Sequence, residues 1–399
     1  MRVAIGQFGG PTAVINNSLL GALETLDDAG ATVFGIVGGT TGLLQGRTME
    51  LSGLSPSLQW LALTPGSALR AGRRGDVTEA DLLTAVRHLQ AQRVDALLVI
   101  GGNGTMALGN RLAGVASERH YPLRVIGIPK TIDNDIVGVD HTPGYPSAVS
   151  FVRMALRDLQ IDLEAMAGFE QVRVVEVMGR SAGWLAAVAT TLGNEWSMDH
   201  GGVGDERGGE RPIVLLPERP LVWDRLLSEI ERRVNDGRPV LVVVGEGVST
   251  AGGAPLAQMQ TGTQSAQVML GGIGGQVAAV VRDQLGCGAR AENLGLLQRC
   301  FARSATELDR HEARWLGCEA ALAALRGEGG HMVGMAPRSW ESIQPYEPSL
   351  IQLPFGQVAG RERVLPLQQG ELSPHFARWV APLLDPSAVA PYPRLRGLS

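Results

Sequence analysis

The chain reads as an α/β protein built on mainly parallel sheets. Short apolar runs alternate with longer helical patterns along most of its 399 residues, which is the sequence sign of βαβ units. Many of the 53 glycines fall at the ends of those apolar runs, where α/β folds place tight or phosphate-binding turns. The length suffices for about two or three domains with a substantial core.

Taken in order, Arg2 to Gln7 is an apolar strand and Thr12 to Ala29 the helix after it. Val33 to Val37 and Ala96 to Ile100 are further strands, Asp81 to Ala91 is a helix, and Arg124 to Ile128 is a buried strand closing on Pro129. A second set follows: helix Ser147 to Ala165, strand Val172 to Met178 and helix Ala182 to Leu192. Asp199 to Arg211 is charged and glycine-rich, the pattern of a mobile loop. Strands Ile213 to Leu216 and Val240 to Val244 enclose the helix Leu221 to Asp236, and Glu307 to Arg326 is a late helix. Beyond Gly327 proline content rises and periodicity weakens, so the end of the chain reads as an extension packed on the core.

A net charge of −5 and a pI near 5.9 supply no basic field for nucleic acid or an anionic membrane. Any phosphate must be held locally. No run approaches a membrane span of about 18 apolar residues, and the first residues lack the pattern of a signal peptide. Cys287, Cys300 and Cys318 cannot all pair within the chain and lack zinc-site spacing. They read as buried thiols of a reducing compartment, and the chain as cytoplasmic.

Lys130 is the only lysine, and it lies in Gly127-Ile128-Pro129-Lys130-Thr131-Ile132-Asp133-Asn134-Asp135. On an extended segment Asp133 and Asp135 share a face. One can hold Mg²⁺ while the other takes a proton from an attacking hydroxyl, as phosphoryl transfer requires. Lys130 and Thr131 beside them can contact phosphate oxygens. Gly9-Gly10-Pro11-Thr12 closes the first strand and opens a helix, where free N–H groups and the helix dipole favour an anion. Gly101-Gly102-Asn103-Gly104-Thr105 repeats the arrangement, and two such turns at one sheet edge can face a single crevice. Tight turns also use glycine and asparagine for their own geometry. Met178-Gly179-Arg180 ends a third strand, with Arg180 placed to stabilise a transferring phosphoryl group. Gly245-Glu246-Gly247 adds a carboxylate, while Arg290 and Arg299 form a candidate phosphate clamp or two solvated surface cations.

In this order the blocks resemble the phosphofructokinase family over residues 1 to 326, with Pro129 to Asp135 and Val175 to Arg180 the most specific. The resemblance implies two Rossmann-like three-layer α/β/α domains with the active site between them. Residues 1–147 plus about 300–330 would bind the donor, 148–299 would bind fructose 6-phosphate, and 331–399 would be the extension. It implies Mg²⁺-dependent transfer to the 1-hydroxyl of fructose 6-phosphate, giving fructose 1,6-bisphosphate in glycolysis. Asp133 would be the general base, with Thr131, Arg180 and the Gly10 backbone stabilising the moving phosphoryl group. Asp135 and Asn103 would hold the metal. Gly10, Arg73, Gly102, Asn103, Gly104, Thr105 and Lys130 would form the donor side. Met178, Gly179, Glu246, Arg290 and Arg299 would join Thr131, Asp133 and Arg180 around the sugar, one arginine coming from a neighbouring subunit of a homodimer or homotetramer.

Donor choice is divided. Lys130, the Gly-Gly-Pro-Thr first loop and Asn103 resemble pyrophosphate users, whereas Gly104 leaves room for a nucleotide α-phosphate, as in ATP users. The balance leans slightly to pyrophosphate. On the acceptor side, Leu296 replaces a histidine of the ATP-using group and Gln171 stands where an inter-subunit arginine is expected. Arg173, two residues along the strand, is a possible substitute on the same face. Asn103, which lacks the carboxylate charge expected at the metal site, together with Gln171 and Leu296 motivates an alternative of another class, a regulatory paralogue that binds sugar phosphate and transfers phosphate poorly. A dinucleotide-binding oxidoreductase is disfavoured because no Gly-x-Gly-x-x-Gly follows the first strand.

Overall fold

A computed structural model describes residues 1–72, 74–192, 211–251, 253, 256, 258–259, 269–340, 346–368 and 371–389. The expected loop Asp199 to Arg211 lies, except for Arg211, outside the described residues, as does Arg73. The chain forms two compact units. Among the described residues the first comprises 1–148 and 299–363, and the second comprises 149–259, 269–298 and 364–389.

The first unit holds a seven-stranded sheet. Five parallel strands stand in the order His331–Met335, Arg124–Pro129, Ala96–Gly101, Arg2–Gln7 and Thr32–Ile36. An antiparallel strand closes each edge, Leu350–Pro354 beside the first and Thr48–Glu50 beside the last. Strand residues alternate strictly between two cores. Ala4, Leu97, Val99 and Val125 pack against the helices Glu79–Ala91 and Asn103–Glu118. Val3, Ile5, Leu98, Ile100, Ile126 and Ile128 pack against the helices Ile15–Asp28 and Glu307–Leu325. Both sheet faces are therefore covered, which is why the strands read as continuous apolar runs rather than as an apolar–polar alternation.

The helices Ile15–Asp28 and Glu307–Leu325 approach backbone to backbone. A Cβ added at Gly317 would stand 2.1 Å from the Ser18 carbonyl oxygen, and one at Gly21 would stand 2.0 Å from that of Arg314. Only glycine permits the contact. Gly317→Ala is expected to destabilise the protein by about 1–3 kcal/mol or more, the usual cost of overpacking. Urea unfolding measures it, and an unchanged midpoint would contradict this packing.

The second unit holds a four-stranded parallel sheet in the order Ala289–Asn293, Val172–Val177, Val240–Gly245 and Ile213–Leu215. Val172, Val174, Val240, Val242 and Val244 bury one face under the helices Trp223–Asn235 and Ile273–Leu285. Elsewhere in this unit Trp184 packs against Phe376 and Trp379, with ring centroids 6.4 and 5.2 Å away.

Several expectations are corrected. The tail after Gly327, expected as an extension packed on the core, contributes to it directly: His331–Met335 is a buried strand of the large sheet, and residues up to 363 belong to the first unit. The helix expected over Ala182 to Leu192 is a short α-helical turn, Trp184–Ala187, followed by a 3₁₀ turn, Val188–Thr191. Cys287, Cys300 and Cys318 are in no disulfide and are only partly buried. Among the described residues, no helix is long and apolar enough to cross a membrane.

Candidate active site

In the first unit the chain runs from Arg2–Gln7 to Thr32–Ile36 on one side, and Ala96–Gly101 leads to Arg124–Pro129 on the other. The order thus reverses between Arg2–Gln7 and Ala96–Gly101, and open α/β sheets bind ligands outside the carboxyl ends of their strands at such a point. Three predicted elements meet there. Gly9, with φ +73°, and Gly10 follow the first strand. Gly102 caps the sixteen-residue helix Asn103–Glu118 without a side-chain hydrogen bond, which leaves first-turn N–H groups for an anion. Lys130 follows Arg124–Pro129; its backbone N donates to the Gly101 carbonyl at 2.9 Å, and its ammonium donates to the Gly10 carbonyl. The lysine is 3 % exposed, so its charge is held inside the loop cluster rather than in solvent.

A Cβ built on Gly104 meets nothing within 4 Å. The helix entrance is therefore open where a larger donor needs space. Thr105 is turned inward instead, its hydroxyl 2.1 Å from where a Cβ on Gly101 would stand.

The segment after Lys130 is not extended as expected. Asn134 adopts φ +53°, so the backbone turns between the two aspartates. They still act on each other: burial, followed by the Asp133 charge, pushes the Asp135 carboxyl up to about 6. Thr131 is tied in place, its hydroxyl accepting from Asp133 N at 3.1 Å and its carbonyl accepting from the Thr142 hydroxyl at 2.8 Å.

Asn103 donates from Nδ2 to the Asp135 carbonyl at 3.1 Å, while Asn103 Oδ1 and Asp135 Oδ1 are buried oxygens without a hydrogen-bond partner. Such orphaned oxygens cost free energy unless a further donor or a cation satisfies them. Hard oxygen donors suit Mg²⁺, which keeps several waters and is commonly bound by one or two carboxylates plus substrate phosphates. No cluster of three or more His, Cys, Asp and Glu able to hold a metal occurs among the described residues. The donor set therefore fits Mg²⁺ shared with a phosphate ligand, rather than an all-protein cage.

In the second unit Met178, Gly179 and Arg180 follow Val172–Val177, and Glu246 follows Val240–Gly245. Gly179 has φ +126°. A Cβ on Gly247 would overlap the Arg180 carbonyl at 1.7 Å, so glycine lets the two turns interlock. Arg180 and Glu246 lie 3.9 Å apart, and burial raises the Glu246 carboxyl despite the nearby guanidinium. The Met178 N–H donates to Gln298 Oε1 at 3.0 Å. Arg299, in the turn Leu297–Cys300, is the next residue in the chain and the first of the segment that belongs to the first unit.

Arg290 is not brought to this cluster. Its strand pairs it with Arg173, about 16 Å from Met178 at roughly 3.3 Å per residue. There it faces Glu170 at 3.7 Å and is largely exposed.

Arg173 does not stand in for Gln171. It lies in a strand flanked on both sides by others, so its guanidinium is buried and pairs with Glu170 at 2.8 Å and Asp162 at 2.6 Å. Gln171 accepts from Gly288 N at 2.7 Å, and Leu296 is 61 % exposed.

Two buried or half-buried carboxylates with structural work at this site were missed. Glu176 accepts from Gly272 N, Gly274 N and Asn293 Nδ2. Glu218 accepts from Gly183 N at 3.0 Å and Leu365 N at 3.1 Å. A glutamate inside the run Val-Val-Glu-Val was the available signal for the first, because a buried charge demands partners.

A family model described as phosphofructokinase matches residues 2–324. The chain belongs to the phosphofructokinase family. It is 35 % identical over 389 residues to the sulfofructose kinase of Alkalicoccus urumqiensis, covering 96 % of each chain. It is 32 % identical over 400 residues to the pyrophosphate–fructose 6-phosphate 1-phosphotransferase of Rhodospirillum rubrum, covering 96 % of this chain and 94 % of that one. Among solved structures it resembles the pyrophosphate-dependent phosphofructokinase of Marinobacter aquaeolei, with a TM-score of 0.79 and 25 % identity over 96 % of this phosphofructokinase-family chain and 92 % of the other.

Proposed function

We propose that the chain transfers a phosphoryl group to the 1-hydroxyl of a fructose bearing an anionic group at C6, with fructose 6-phosphate the first acceptor and pyrophosphate slightly favoured over ATP as donor. The observation that carries this reading is the meeting of Lys130, the uncapped helix entrance at Gly102 and the orphaned oxygens of Asn103 and Asp135 at one strand-order reversal. Together they offer a cationic, N–H-rich and metal-compatible bed for a polyphosphate.

Asp133 takes the proton of the 1-hydroxyl as that oxygen forms its bond to phosphorus and the bond to the leaving phosphate or ADP breaks. Thr131, the Gly10 backbone and Arg180 steady the charge on the moving group. Mg²⁺, held by Asp135 and Asn103, would neutralise charge on the donor oxygens. Met178 and Glu246 orient the sugar, and Arg299 holds its 6-substituent. Arg290 is suited to serving a neighbouring subunit of a homo-oligomer, because it lies apart from Met178 on its own sheet.

A second acceptor is favoured by specific residues. Leu296 and Gln171 replace cationic or ionisable positions, Arg173 is consumed by Glu170 and Asp162, and Arg290 is partly neutralised by Glu170. A clamp with fewer free cations suits a sulfonate, which carries one negative charge, better than a phosphate ester of about −1.5 to −2 at neutral pH. A relative named sulfofructose kinase supports the same choice.

The test is to offer pyrophosphate or ATP against fructose 6-phosphate or sulfofructose with Mg²⁺, and to compare kcat/KM for each pair. No phosphorylated sugar from any pair would sink the enzyme reading. Sugar-phosphate binding without turnover would leave the regulatory paralogue.

The raised Asp135 carboxyl sets the expected pH dependence of metal binding. Folded Asp135 holds its proton up to about pH 6, above the unfolded value near 3.9. Its contribution to stability is thus present at low pH and lost as pH rises through about 6. Mg²⁺ competes with that proton, so the rise in Tm on adding Mg²⁺ is expected to be larger at pH 8 than at pH 5. Equal rises at both would contradict metal binding at Asp135.

A further inference from the structure

The turn bearing Asp133 and Asp135 lacks a strand ladder. Only isolated bridges flank it, Thr131 with Gly144 and Ile136 with Glu362, and Asn134 bends it at φ +53°. Its backbone must therefore be held by other donors. One residue supplies two of them. The Arg363 N–H donates to the Asp135 carbonyl at 2.7 Å, and the Arg363 guanidinium donates to the Asp140 carbonyl.

Asp140 is itself fixed by a closed ring of side chains within the first unit. Its Oδ2 meets His141 Nδ1 at 2.8 Å, and His141 Nε2 meets Glu312 Oε2 at 2.6 Å. Glu312 accepts from the Tyr346 hydroxyl, Arg338 lies 4.7 Å over the Tyr346 ring, and Arg338 returns to Asp140 at 2.8 Å. Burial alone would discharge His141, yet its two carboxylates raise it to about 9. The ring is thus charged at neutral pH, a buried post to which Arg363 ties the turn. Arg338, Tyr346 and Arg363 all lie beyond residue 324, where the family match ends.

We propose that Arg363 is a positioning residue for phosphoryl transfer: its guanidinium, anchored on the Asp140 carbonyl, holds its own N–H against the Asp135 carbonyl and so fixes the backbone that carries Asp133 and Asp135. The inference rests on the phosphotransferase reading above. Residues that orient metal ligands and bases typically change affinity or rate by about 10–100-fold when lost.

The test compares the wild-type chain with Arg363→Met and Arg363→Lys. Arg363→Met is expected to lower kcat and to weaken Mn²⁺ binding, followed by electron paramagnetic resonance, each by about 10–100-fold, while the sugar KM changes little. Arg363→Lys, which keeps the charge and one donor, is expected to recover part of both. Wild-type kcat and Mn²⁺ affinity in Arg363→Met would overturn the proposal. If that variant does not fold, Arg363→Lys carries the test: lowered kcat with unchanged thermal unfolding supports the role, and wild-type kcat refutes it. A wild-type chain without turnover defeats the functional reading instead. The Mn²⁺ titration still decides the positioning role, because equal dissociation constants in wild type and variant exclude it.

Discussion

Asp133→Ala is expected to lower kcat by about 10²–10⁴-fold, the usual contribution of a positioned general base, while the acceptor sugar still binds. The variant also removes the charge that raises the Asp135 carboxyl. Because the lost carboxylate also attracted the cation, Mn²⁺ binding is expected to weaken modestly while turnover collapses. A loss in turnover far larger than the loss in metal affinity separates removal of the base from removal of the metal. Rate measurements paired with Mn²⁺ titration read both quantities, and retained turnover would refute the base assignment.

Lys130→Met is expected to lower kcat/KM for pyrophosphate by about 10²–10³-fold, the scale of removing one preorganised donor to a developing charge. The loss with ATP should be smaller, because a nucleoside offers the protein further surface that pyrophosphate lacks. Lys130→Arg is not expected to rescue pyrophosphate use. The ammonium is buried against the Gly10 carbonyl, and a planar guanidinium does not share its compact shape. Unaltered pyrophosphate kinetics in Lys130→Met would exclude the donor contact.

The parts of the fold legible in the sequence were those with strong local pattern. Arg2–Gln7 and Glu307–Leu325 fall within a residue of their expected bounds, because an apolar run and a helical stripe announce themselves. His331–Met335 did not, since five residues with a histidine and two methionines have no period to read, and their burial comes from Arg124–Pro129 beside them. The site followed the same division. Lys130 and Asn103 stand out in the sequence because they follow a strand and a glycine turn directly, and Asp135 because it is paired with Asp133. Asp133 and Asp135 interact for a different reason than alternation, as the left-handed Asn134 shows. Arg173 failed because a same-face argument ignores what lies on that face. Arg338, Tyr346 and Arg363 left no local signal, since their partners are as much as 223 residues away in the chain.

A single lysine buried against a loop carbonyl also makes this chain an unusual chemical reporter. Any amine-directed acylation of a side chain can modify only residue 130, and it must wait until that ammonium leaves the Gly10 carbonyl. The labelling rate therefore times the opening of one loop, and mass spectrometry of the peptide carrying residue 130 reads it apart from any chain-terminal amine.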